Sequence, residues 1–301
     1  LDGIAKVIFI SALLDERQNS NLIICKNSDE SEKIHSALTM FLPDKKNSIF
    51  EYDFDDSNKR IDALNGLSYL KNAIVVAPVK SLHKQAPSKK TFIAGKIRFY
   101  PGMKAKINEI VKWLVNTGYI RVPMVENSGE LSLRGGILDI FSVSKNPLRV
   151  EFGADGIDSI REFDALTQRS TVNIKEALVL PHFYNGDSDL FDYLEDDDVI
   201  ILDNPAEFGA PIKIKNKSPL IELHPFRYTE PAFFVESLLS PNFGGNLDKF
   251  VSHFKDFNMH CFIISKQAMR INELFLENSI NNPLIRFIFD ATVRPFRSVI
   301  F

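Results

Sequence analysis

The sequence predicts an α/β chain in three parts: α/β over residues 1–100, an α+β domain over 101–183, and α/β again over 184–301. Three observations carry this prediction. Before residue 100, short apolar runs of strand length alternate with helical stripes, the pattern of a parallel sheet covered by helices. After Gly118 the apolar period changes from that of a helix to the two-residue period of half-buried antiparallel strands. Beyond an acidic stretch, NGDSDLFDYLEDDD, buried strand-length runs and helical stripes return.

In the first part, NLIICK (21–26) and NAIVVAPV (72–79) are the strand-length runs, and Pro78 closes the second. Between them DESEKIHSALTMFL sets Ile34, Leu38 and Phe41 on one helical face, with Asp29 or Ser31 as the expected cap. SNKRIDALNGLSYL does the same with Ile61, Leu64 and Leu67 or Leu70. The second part opens with PGMKAKINEIVKWLVNTGY, a helix with a stripe of Ile107, Ile110, Val111, Leu114 and Val115, stopped at Gly118. ELSLRGGILDIF and LRVEF then alternate as strands, punctuated by Ser128-Gly129, Gly135-Gly136 and Asn146-Pro147. In the third part VIILD (199–203) is a buried strand ending in Asp203. NLDKFVSHFKDF presents Leu247, Phe250, Val251, Phe254 and Phe257 as a helix stripe, followed by the strand CFIIS (261–265) and the helix QAMRINELF. There is no internal repeat and no low-complexity segment.

Composition narrows the function. The net charge of -3 and a pI near 6.1 call for no polyanionic partner, and the short run KNKSPL (215–220) reads as a solvated loop. Cys25 and Cys261 lie in or beside apolar runs, as reduced core cysteines do, and the neighbours His260 and Cys261 do not make a ligand set. KVIFISALL (6–14) is too short to span a bilayer and lacks a cleavage pattern, so no membrane association is expected. The first and last residues read as those of a piece of a longer protein.

The motifs of common chemistries are missing. A phosphate loop needs glycines to let backbone N–H groups wrap the phosphates, a lysine, and a Ser or Thr for magnesium. Gly95-Lys96 is followed by Ile97, which has no hydroxyl, and the single glycine of LDGIAKVIF cannot build the cradle. No G-x-S-x-G, H-E-x-x-H or C-x-x-C occurs. The carboxylates of LEDDDV and DFDD read as solvated acidic loops, and Asp203 as a strand-end residue without the phosphate loop that would make it a magnesium holder.

What remains is an arginine-bearing, sheet-forming block: GYIRVPMVENSGELSLRGGILDIF (118–141), then PLRVEF and IDSIREFDALTQRS, with Arg121, Arg134, Arg149 and Arg161 among valines, isoleucines and phenylalanines. This block resembles the UvrB-like second domain of the bacterial transcription-repair coupling factor (Mfd) family. FEYDFDDSNKRIDALNGL, NAIVVAPVKSL and PGMKAKINEIVKWLVNTGY resemble the segments before it in that family, and SPNFGGNLDKFVSHFKDF and QAMRINELF those after it.

The resemblance implies a degenerate RecA/helicase-like domain without a nucleotide loop, split into halves at 1–100 and 184–301 around a UvrA-interaction domain at 101–183. It implies a cytoplasmic DNA-repair role, the recruitment of UvrA to stalled RNA polymerase by imitation of UvrB, with no cofactor in this part of the protein. ATP, magnesium, RNA polymerase and double-stranded DNA would belong to motor and polymerase-binding regions elsewhere in the full-length translocase, and a C-terminal domain would mask the UvrA face. The short connection after Val79 leaves no room for the DNA-holding hairpin of UvrB itself.

By the same resemblance Arg121, Arg134, Arg149 and Glu151 fall on UvrA-contacting positions, with Phe152 and Asp155 beside them. The other role open to these arginines is cross-strand pairing with Glu130, Asp139, Glu151 or Asp158, where exposed pairs contribute about 0 to 1 kcal/mol. The chain departs from the family at Gly153-Ala154-Asp155-Gly156, where the family has Phe-Gly-Asp-Glu, so an aromatic and a carboxylate are missing from the rim. Two other functions fit the resemblance: a divergent helicase domain binding ATP or DNA directly, and an autoinhibitory module of the translocase with little affinity for UvrA.

Overall fold

Helix α1 (Gly3–Asp15) leads into β1 (Asn21–Cys25), whose five residues are all buried. The computed structural model describes residues 3–15, 17–143, 146–183, 186–215, 217–225, 246–255, 261–265, 267–282 and 285–289. They fall into two units, one of Leu14–Thr39 and Asp44–His224, the other of Leu1–Leu13, Met40–Pro43 and Pro225–Phe301.

In the first unit β1 is followed by α2 (Ser28–Phe41), β2 (Ile49–Glu51), α3 (Ser57–Tyr69) and β3 (Ile74–Pro78). All five residues of β3 are buried as well, the mark of a strand covered on both faces. The cap of α2 is neither Asp29 nor Ser31 but Asn27, whose side-chain oxygen accepts from the Glu30 N–H at 2.9 Å. An acceptor one residue before the helix reaches an N–H that a residue inside the first turn cannot.

After α4 (Lys89–Ala94) and β4 (Ile97–Phe99), helix α5 (Ile107–Asn116) opens the α+β segment. Ile110, Val111 and Leu114 are buried as the stripe requires, whereas Val115 stands exposed at its margin. Gly118, at φ 101°, turns the chain out of the helix. The strands β5 (Ile120–Arg121), β6 (Glu130–Arg134), β7 (Ile137–Ile140), β8 (Leu148–Phe152), β9 (Ile157–Phe163) and β10 (Ser170–Asn173) then form a six-stranded sheet in sequential order. All its pairings are antiparallel except β5 with β6. The segment β11 (Ala177–Val179) returns to pair antiparallel with β4.

The chain then rejoins the parallel sheet through β12 (Val199–Asp203) and β13 (Leu220–Leu223), giving the order β13-β12-β1-β3-β2. Ile23 lies in register between Ile201 of β12 and Val76 of β3, so the central strands come from opposite sides of the antiparallel sheet in sequence. The fold is thus the expected mixture of a parallel α/β sheet and an antiparallel α+β layer.

The acidic stretches are not solvated loops throughout. Asp53 is buried and accepts from the Ser28 hydroxyl at 2.8 Å, Asp56 caps α3, and buried Asp198 accepts from the Ser20 and Glu195 amides at 2.8 Å each. Backbone N–H groups at turns and helix starts need acceptors, and these carboxylates supply them. Leu190, Phe191 and Tyr193 lie in a short 3-10 helix within the NGDSDLFDYLEDDD stretch and are buried in the core of the parallel sheet.

In the second unit β14 (Cys261–Ser265) and β15 (Ile285–Phe289) pair in parallel, flanked by α6 (Leu247–Phe254) and α7 (Ala268–Glu277). Phe250, Val251, Phe254, Ile263, Phe275 and Ile285 share one core, with the Phe250 and Phe254 rings 5.1 Å apart. Phe257, His260 and the side chains of Leu247 and Cys261 lie outside the described residues.

Candidate partner-binding face

Register divides the six-stranded sheet into two unlike faces. Leu131, Ile140 and Leu148 stand opposite one another, as do Leu133, Leu138, Val150 and Ile160, and this face packs on Ile110, Val111 and Leu114 of α5. The other face carries Ser132, Asp139, Arg149 and Arg161 in one row and Arg134, Ile137, Glu151 and Ser159 in the next.

Two arginines directly opposite one another, Arg149 and Arg161, would repel unless carboxylates stood between them. Asp139, 1% exposed, takes both Nε and Nη2 of Arg149 at 2.8 and 3.0 Å and also pairs with Arg134. Glu151 pairs with Arg161 and accepts from the Ser159 hydroxyl. The bidentate Arg149–Asp139 pair holds the Arg149 pKa above its usual value. Arg149 also donates through Nη1 to the Gln168 carbonyl at 3.1 Å and lies 4.7 Å from the centre of the Phe163 ring. Only 15% of its side chain reaches solvent, against 50% for Arg134. The loops carrying Pro123 and Gln168 close over the Ser132–Asp139–Arg149 end, while Arg134, Glu151 and Arg161 stay open.

The switch point of a parallel sheet, where a phosphate loop would lie, is filled by the chain's own groups. From β1 to α2 the connection is Lys26 and Asn27 alone. Asn27 occupies the helix N-terminus, Asp29 and Glu30 fill its first turn, and Lys26 is paired with Glu207 at 2.8 Å. A two-residue turn against a carboxylate-lined helix start does not wrap a phosphate. Gly95-Lys96 lies instead between α4 and β4, with the ammonium 5.2 Å from the centre of the Phe92 ring. Among the described residues no group of three or more His, Cys, Asp or Glu is placed to hold a metal, and no helix is long and apolar enough to cross a membrane.

Residues 97–183, which contain the six-stranded sheet, match the family model described as the UvrB interaction domain. Over that segment the chain is similar to a UvrB interaction domain. Its likeness to curated proteins extends beyond that domain. It is 31% identical over 203 residues to the transcription-repair-coupling factor of Bacillus subtilis (strain 168), over 60% of this chain and 17% of that protein. It is 31% identical over 185 residues to that of Staphylococcus aureus (strain bovine RF122 / ET3-1), with 57% and 16% covered. To that of Staphylococcus haemolyticus (strain JCSC1435) it is 28% identical over 209 residues, with 65% and 17% covered. The matches thus span about a sixth of the length of these relatives.

Within residues 97–183 the six expected site residues do not form one patch. Arg134, Arg149 and Glu151 share the charged face, but Arg149 is committed to Asp139 and Gln168 and acts first as a packing residue of the sheet. Phe152 points to the opposite face and packs against the core beneath α5. Arg121 pairs with Leu131 in register, which puts it on the helix side at the open edge, exposed. Asp155 is exposed in the β8–β9 turn. Of the expected cross-strand acceptors, Glu130 instead accepts from the Glu126 and Asn127 amides of its own loop. Arg161, from the neighbouring row, joins Arg134 and Glu151 through its pair with Glu151 and was not among the six. Its two-residue spacing from Ser159 signalled a shared face, but only the β8–β9 register shows which face that is.

Proposed function

We propose that this chain is the UvrA-recruiting part of a transcription-repair coupling factor, and that it takes UvrA through the open end of the charged face, Arg134, Glu151 and Arg161. The observation that carries this reading is the match of residues 97–183 to the UvrB interaction domain. The half-exposed Arg134 and the one-third-exposed Arg161 on rigid strands support it, since arginines held by neighbours lose little entropy on pairing with a partner's carboxylates. The self-filled turn at Lys26–Asn27 supports a binding role over a nucleotide-driven one. ATP, magnesium, RNA polymerase and DNA then belong to other regions of a longer, cytoplasmic translocase.

Calorimetry of the chain with the cognate UvrA tests this. Arg149→Glu is a poor probe because it would unpair Asp139, so the variant of choice is the double substitution Arg134→Glu, Arg161→Glu. Its expected cost is about 2 kcal/mol or more of binding free energy. An unaltered chain that does not bind UvrA would overturn the reading.

A further inference from the structure

The β9–β10 loop, Asp164–Arg169, holds Leu166 out with 95% of its surface in water. The loop is nonetheless fixed. The Asp164 carboxylate accepts from the Thr167 amide at 2.7 Å, the Asp164 carbonyl from the Gln168 amide at 2.7 Å, and the Arg169 carbonyl from the Asp164 amide at 3.0 Å. The Gln168 side-chain amide donates to the Ala165 and Val125 carbonyls, and the Gln168 carbonyl accepts from Arg149. Leu166 therefore sits at the tip of a preorganised turn without contributing to the core. The Gln168–Val125 bond brings the loop beside the segment that exposes Ile120 and Met124. Arg121 and Arg169 are also exposed, and among the described residues neither has an ion-pair partner, in contrast to the three arginines of the charged face.

We propose that Leu166 is the apolar anchor of the partner interface, entering an apolar pocket rimmed by carboxylates that pair with Arg121 and Arg169. This deepens the reading above and rests on it: the anchor serves the same protein partner, and Arg149 links it to the charged face by holding Gln168 on one side and Asp139 on the other. A rigid turn carries an apolar side chain into a pocket at little cost in loop entropy, and a leucine with the unpaired Arg169 in its own loop and Arg121 at the edge of the sheet matches the apolar centre and polar rim of protein interfaces. Nucleic acid is the poorer match, because the chain is net acidic.

The test is calorimetry and stopped-flow association of the chain with the cognate UvrA, for the unaltered chain and for Leu166→Asp, Leu166→Ala, Leu166→Met and the double variant Arg121→Glu, Arg169→Glu. Melting curves serve as the control for folding. Leu166→Asp is expected to weaken binding at least tenfold with an unchanged melting temperature, Leu166→Ala to weaken it less, and Leu166→Met to bind nearly as well as the unaltered chain. The double arginine variant is expected to associate at least tenfold more slowly. Binding of Leu166→Asp and Leu166→Ala within twofold of an unaltered chain that does bind would overturn the anchor and leave the recruitment reading standing. Absence of binding by the unaltered chain would remove both.

Discussion

Asp139 balances the charged face. One buried carboxylate takes two bonds from Arg149 and one from Arg134, so its loss leaves a largely buried guanidinium without a counter-charge, opposite a second arginine in register. Breaking such a pair from one side costs about 3 to 5 kcal/mol. Asp139→Ala is therefore expected to lower the urea midpoint sharply, whereas Arg134→Ala, at a half-exposed position, should change it by less than about 1 kcal/mol. His182 supplies a pH dependence. It is buried against the Tyr119 ring, 5.8 Å between centres, and burial, with the nearby Arg60 charge, lowers its pKa to about 4. In the unfolded chain the imidazole titrates near its ordinary value of about 6.5, so the unfolded state takes up the proton first. The His182 contribution is fully present above pH ~6.5 and falls as the pH drops toward 4, by about 3 kcal/mol in all. Urea midpoints followed from pH 7 to 5, mostly above the range of ordinary carboxylates, should decline, and His182→Gln should flatten that decline.

The β8–β9 hairpin shows how an element constrains its own sequence. Its turn is closed by the Gly153 N–H donating to the Gly156 carbonyl at 2.8 Å. Gly156 has φ 142°, and a Cβ there would run into the Met103 carbonyl, while one on Gly153 would meet the Asp158 carboxylate. The departure from the family's Phe-Gly-Asp-Glu is thus a tight, close-packed turn in this chain, and the lost aromatic and carboxylate have no space to return without moving a neighbour. Gly156→Ala is expected to destabilise the domain by about 1 to 3 kcal/mol, read as a lowered melting temperature. Helix starts were less legible than helix bodies. The apolar stripes of α2, α3 and α5 can be read from spacing, but the choice of Asn27 over Asp29 or Ser31 depends on where the backbone leaves β1.

At the scale of the molecule, the parallel sheet takes β1, β2 and β3 from one side of the six-stranded sheet in sequence and β12 and β13 from the other. The strands at its middle are joined by long-range pairing, so they open only when the whole unit unfolds. Hydrogen exchange should be slowest at the amides of β1 that bond to its neighbours. It should be fast in β10, an edge strand with all four residues exposed. Comparable rates in the two would contradict this ordering.

By itself the sequence determined the α/β class, the strands β1, β3 and β12, the helix stripes and the arginine-rich block. Burial on both faces writes an uninterrupted apolar run and burial on one face a period, and neither needs knowledge of a partner. It also excluded a phosphate loop, because that loop is a contiguous string of residue types. Tertiary structure alone decided what the arginines do. Alternation says which residues of one strand share a face, but only register, set by hairpin turns such as Gly153–Gly156, brings Arg149 opposite Arg161 and places Asp139 to hold the first and Glu151 the second. The same pairing buried Arg149, left Arg134 and Arg161 open, and fixed the loop that presents Leu166.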